Sequence, residues 1–339
     1  MEIKMKKINL LNIVLLSIFL VGCSTKREYF SPQKEEISGK ASFDNKTGGE
    51  ILYVTKSGIT LKNGKVITKD ERSFNLNLEK KEKFLNYNDE KIITSTIDGK
   101  LKILDVNSNL IFDEKFPSQP VSASLIGTKL AVVCADNSIW MIDINSKNVI
   151  LSDKFDTTFT LDSRIASPLF AGNGVVVFPT LDGRVVITVN GMKAQDIFVS
   201  AEPFFNNIIY LDVLGDKMFA ATNSTLILIS PNGNKRLLQN IRDIFRYEDR
   251  IYLFRKDGIA QIYDLNLNEI KESKFKFAIF SGVMPHKDSI YIFEKTGYLI
   301  KTDLNLENSQ IYKLNDELDK LSFASIENFY HKDKFIKLK

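Results

Sequence analysis

The sequence predicts an all-β fold: a β-propeller of eight blades, seven being the nearest alternative, each a four-stranded antiparallel sheet, closed by pairing of N- and C-terminal strands. Three observations predict it. Short apolar strands recur about 40 residues apart, the period of propeller arrays. Each is followed by a two-residue polar turn, and most of these turns end in Gly or Asn, which take positive φ at least cost. An aspartate then stands six residues beyond the turn in four of the repeats.

The stretch from Lys129 to Phe155 shows the unit. Leu130, Val132 and Cys134 alternate with Ala131, Val133 and Ala135, an apolar run expected of a strand covered on both faces. Asp136-Asn137 breaks it, Ile139 to Ile144 makes a second run, Asn145 to Asn148 turns, and Val149 to Leu151 opens a third strand. One such meander cannot bury its own faces, so it must stack on copies of itself.

Taken in order, the chain opens with Lys4, Lys6 and Lys7, an apolar run from Ile8 to Leu20, and Leu20-Val21-Gly22-Cys23. The run is too short for the roughly 20 residues of a membrane span. The segment resembles a bacterial lipoprotein signal, which implies cleavage after residue 22 and acylation of Cys23. Ser24 after the cysteine implies sorting to the outer membrane in a Gram-negative host. Residues 23–46 are polar and read as a lipidated flexible tether, with an extended reach of up to roughly 70 Å. Residues 47–339 are expected to form the propeller.

Seven strand-turn pairs follow. Their turns fall at Ser57-Gly58, Asp98-Gly99, Asp136-Asn137, Asp182-Gly183, Asn223-Ser224, Asp257-Gly258 and Thr296-Gly297. Asp105, Asp143, Asp264 and Asp303 carry the second marker, each expected to accept hydrogen bonds from its own following backbone. Phe335 to Leu338 supplies an eighth apolar strand, and residues around Ile37 to Phe43 are expected to complete its sheet and protect the edges of an open array.

Composition bounds the function. Of 339 residues, 44% are hydrophobic, and the net charge of +4 leaves no electrostatic case for nucleic acid. Two cysteines, Cys23 and Cys134, exclude a disulfide framework and a cysteine-rich zinc site. The two histidines, His286 and His331, lack partners at ligand spacing and are expected in solvated turns. Catalytic residues, metal and cofactor are all expected to be none.

Asp98 to Asp105 and Asp257 to Asp264 (DGKLKILD and DGIAQIYD) resemble the core of PQQ-type propeller repeats, although Phe116 and Phe155 stand where that family ends its strand in Trp. With the lipid signal, the whole resembles the BamB-like lipoprotein propellers of outer-membrane β-barrel assembly. That resemblance implies a non-enzymatic scaffold facing the periplasm from the outer membrane, with a periplasmic or outer-membrane protein partner such as the barrel-assembly core. The alternative is a ligand- or quinone-binding PQQ-type propeller in the periplasm, although Trp140, the single tryptophan, excludes the stacked tryptophans that such a site uses.

Two features offer partner binding. Arg236, Arg242, Arg246, Arg250 and Arg255 lie close together in a chain with few arginines, against a plainer reading as a solvated edge. Phe204 and Phe205 are an anchor if exposed, although packing between blades is the reading the pattern favours.

Overall fold

In the computed structural model, residues 28–156, 158, 161–202 and 204–339 are described. They form eight sheets. Blade 3 is the template unit with one strand added in front: Pro120–Ile126, Lys129–Cys134, Ser138–Asp143 and Val149–Lys154, paired antiparallel in that order. Blade 1 runs from Ile51–Val54 to Ser73–Asn75 and blade 2 from Glu82–Asn88 to Leu110–Lys115. Blades 4 to 7 start at Leu169–Gly172, Tyr210–Leu214, Ile241–Tyr247 and Phe280–His286.

The ring closes through both ends of the chain. Blade 8 takes Ser322–Ala324, Asn328–His331 and Lys334–Lys337 from the C-terminal end, and Asn45–Lys46 pairs antiparallel with the last of these. Phe335 to Leu338 is therefore largely a third strand, with two strands ahead of it. Ile37–Ala41, expected in that same sheet, instead runs parallel to Gln310–Leu314 as a fifth strand on blade 7. Much of the stretch expected to be a free tether is thus ordered, and Phe30 and Phe43 within it are buried.

The two-faced apolar strand does what its pattern requires. Leu130, Val132 and Cys134 join a cluster with Ile93, Ile103 and Phe112 of blade 2. Ala131 and Val133 join Val176, Phe178 and Val186 of blade 4. Similar clusters fill the other interfaces, down to Phe293 of blade 7 stacked on Phe329 of blade 8 at 3.7 Å. Each fully buried side chain of this kind contributes about 1.5–3 kcal/mol.

The turn grammar holds with one shift of register. Gly99, Asn137, Gly183, Gly258 and Gly297 all have positive φ in the turn between second and third strands. In blade 1 that turn is Asn63-Gly64, since Ile51–Val54 is a first strand, and Gly58 has no positive φ. Ser224 also lacks it, its turn being held by a bond from its amide to Thr222 Oγ1. The marker aspartates behave as expected: Asp303 accepts from the amides of Asn305, Glu307 and Asn308.

Antiparallel alternation fixes two faces. The second-third turns and the links between blades emerge on one, here the link face; the remaining turns emerge on the other.

Candidate functional site: the mouth of the axial channel

First strands line the axis, so whatever fills or caps the channel comes from them and from the links. Every first strand contributes, from Val54 of blade 1 through Ser124 of blade 3 to Phe323 of blade 8. The space comprises a cavity of about 590 Å³ and another of about 520 Å³, which share Lys56, Lys69 and Ile326 in their walls.

Link length singles out one side of the mouth. Between blades 5 and 6 only Gln239 and Asn240 intervene, whereas the link after blade 3 runs from Phe155 to Pro168 and the link after blade 4 from Val199 to Ile209. These two long links are tied to each other. The Asp162 amide donates to Asn207 Oδ1 at 2.8 Å, and the Ala166 amide donates to the Ile208 carbonyl at 2.9 Å. Asn206 and Asn207 are buried and donate to the carbonyls of Asp182 and Leu181 at 2.9 and 2.8 Å, which fixes the second link to blade 4.

Arg164 is carried into the channel by the first of these links. Its Nε and Nη2 donate to the two Asp162 carboxylate oxygens at 2.9 and 2.5 Å, a forked pair, and Nη2 also reaches Asn223 Oδ1 at 2.7 Å. Nη1 donates to the carbonyl of Arg242. Burial alone would raise the Asp162 carboxyl, but Arg164 outweighs it and holds that carboxyl at about 2. Arg242 in turn donates from Nε to the Phe280 carbonyl at 2.6 Å. Lys56, on the loop after the first strand of blade 1, lines both cavities. Burial, with Lys69 and Arg164 nearby and only Asp243 and Asp162 opposing, lowers its ammonium to about 8.

Of the five predicted arginines, two are brought to one space: Arg242 lines the larger cavity near the link face and Arg246 lines it from further along the same strand. Arg255 pairs with its neighbour Asp257 at 2.6 Å, and Arg246, at the opposite end of its strand, binds Asp212 at 2.5 Å. Arg250 donates to Asn305 at 2.8 Å on that opposite face, and Arg236 donates to the Phe198 carbonyl from an outer strand. The five do not share one face because the blade 5–6 link is short and the strands alternate in direction.

Phe204 and Phe205 differ from the packing reading the pattern favoured: they are 60% and 65% exposed. With Leu161, also half exposed, they form an apolar rim on the two long links. Cys23 lies outside the described residues. His331 is not in a solvated turn but buried against the Phe43 ring, and His286 is half-buried with Nδ1 3.1 Å from the Ile326 carbonyl. Cys134 is a buried thiol pushed up to about 12 by desolvation. Trp140 packs edge-on to Phe116 at 5.8 Å, a blade-to-blade contact. Among the described residues no three His, Cys, Asp or Glu side chains come together as a metal-holding group.

Sequence reasoning missed Arg164, Lys56 and the asparagines. The interval between the turns at Asn137 and Gly183, the widest in the chain, was the available signal that a long link lay there.

No family model matches the chain. It is 31% identical over 317 residues to the plasminogen-binding protein PgbB of Helicobacter pylori strain J99, covering 80% of this chain and 58% of that protein. The match to PgbB of strain 26695 is 31% over 319 residues, covering 81% and 59%. The chain thus spans less than two thirds of these curated relatives. Among solved structures, BamB from Moraxella catarrhalis matches with a TM-score of 0.61 at 13% identity, over 89% of this chain and 94% of that one. The C-terminal WD40 domain of Sif2 matches with a TM-score of 0.66 at 11% identity, over 89% and 99%. Identities this low show the fold alone, so the chain is an eight-bladed propeller similar in sequence to PgbB and in fold to BamB.

Proposed function

We propose that this chain is a non-enzymatic docking scaffold of the cell envelope, lipid-anchored through Cys23, which takes a protein partner on its link face. The observation that carries the reading is the exposed Leu161-Phe204-Phe205 rim, held on two mutually bonded links beside a charged channel mouth. Exposed aromatics on an ordered frame are typical interface anchors, because little side-chain freedom is lost when they are covered.

In the finer reading, the chain assists outer-membrane β-barrel assembly from the periplasmic side of the outer membrane, with the barrel-assembly core as partner. Similarity to relatives named for plasminogen binding favours a second partner, plasminogen. One experiment separates them. A photo-crosslinking residue replacing Phe204 or Phe205 is activated in intact cells, and purified chain is passed over immobilised plasminogen. The first reading expects crosslinks to the assembly core and no retention on plasminogen; the second expects retention that F204A/F205A abolishes. Absence of both crosslink and retention would overturn the docking role of this rim.

A further inference from the structure

Positive charge gathers in the channel from parts of the chain far apart in sequence. Lys56 and Lys69 come from blade 1, Arg164 from the link after blade 3 and Arg242 from blade 6, and all four line the larger cavity. Arg246 and Lys320 add to that wall, and against these six cations stand three carboxylates, Asp162, Asp243 and Asp319. Asp162 is already engaged by the forked pair with Arg164, and Asp243 accepts its neighbouring Ile244 amide at 2.9 Å. Lys56 has no hydrogen bond or ion pair among the described residues, and Arg242 uses its guanidinium in a single bond to Phe280. Like charges converging in a partly dry space repel one another, a standing cost that an opposite charge would relieve.

We propose that the axial channel binds a small molecule bearing two or more carboxylate or phosphate groups, with Lys56 and Arg242 as its direct ligands. Arg164 cannot turn to follow a ligand, because Asp162, Asn223 and the Arg242 carbonyl hold it. It serves as a fixed positive wall. Ile244, Phe245, Val283 and Met284 supply an apolar side that strengthens charge-assisted bonds by excluding water. About 590 Å³ admits a molecule of the size of citrate or a sugar phosphate. The proposal is independent of which protein docks at the rim.

The test is calorimetric titration of the full chain with citrate and with pyrophosphate at constant ionic strength, with sodium chloride as reference, alongside thermal unfolding. Saturable binding of at least one probe is expected. K56Q and R242Q should each weaken it by roughly ten-fold, the effect of removing one charged hydrogen-bonding ligand, whereas K271Q on an outer strand should not. Ligand-free K56Q should unfold at or above the wild-type temperature, since it removes an unrelieved charge, and this keeps K56Q decisive should R242Q fail to fold. Heats no larger than those of chloride, equal affinity in K56Q and wild type, or binding of an acidic peptide such as oligoglutamate without either small anion would overturn the proposal.

Discussion

Asn137 was legible as a turn residue, but its larger task was not. Its φ is +62°, its Nδ2 donates to the Asp156 carbonyl at 2.9 Å, and its Oδ1 accepts the Leu181 amide of blade 4 at 2.8 Å. The side chain therefore fastens one blade to the next, through partners that no local pattern reveals. N137A would leave a buried carbonyl and amide unpaired and should cost about 2–4 kcal/mol in urea unfolding; an unchanged midpoint would show the bonds to be idle. Gly99 was readable for a simpler reason. With φ of +100° and the Phe116 carbonyl oxygen 2.4 Å from where a Cβ would sit, G99A should cost at least about 1–3 kcal/mol by the same measurement. By contrast Lys56 and Arg164 carry no local signature at all, because their meaning lies in a charge balance assembled across blades.

At the level of strands and turns, apolar period and turn residues sufficed for the second and third strands of most blades. They failed where pairing rests on backbone. Ile37, Gly39 and Ala41 alternate with Ser38 and Lys40 as a strand should, but nothing in that pattern tells that the strand joins the edge of blade 7 rather than blade 8. Blade 8 shows how the ends are joined. Phe43 is 4% exposed and packs against Phe329 and His331, so F43A should destabilise the chain by about 3–5 kcal/mol and speed hydrogen exchange in 328–337 before other blades. Even exchange across all blades would argue against a local closure. His331 adds a pH term to this joint. Burial lowers its imidazole, Asp319 and Asp316 at 3.7 and 3.8 Å oppose that, and Lys332 reinforces it. The unfolded chain then takes the proton first, so this contribution to stability is intact above about pH 6.5 and declines below it. H331F should flatten the unfolding temperature between pH 7 and 5; an unaltered slope would remove His331 from the account.

Across the whole propeller, the closed ring followed from counting repeats, whereas its functional asymmetry followed from what the repeats leave out, the two long links. Acid should act on the ring through the third-fourth turns. Asp105, Asp264 and Asp303 are each held below the ordinary carboxylate range, Asp303 mainly by the Glu307 amide. Depressed carboxyls contribute stability that is present above about pH 4 and lost as pH falls through their folded values. Buried Glu294, raised by desolvation, works the other way. D303N should therefore be less stable than wild type at pH 7, with the gap closing by about pH 2; a gap that persists there would assign the loss to packing. Phe30 has a further bearing on how the molecule sits. Its carbonyl accepts Thr296 Oγ1 at 3.3 Å, and its ring meets Tyr298 edge-on at 5.5 Å, so the chain is pinned beside a link-face turn. From Cys23 to that pin the backbone can stretch no further than about 25 Å. A lipid on Cys23 would moor the disc on a short line, channel mouth and aromatic rim turned to the bilayer, and a partner would then have to approach along the membrane plane.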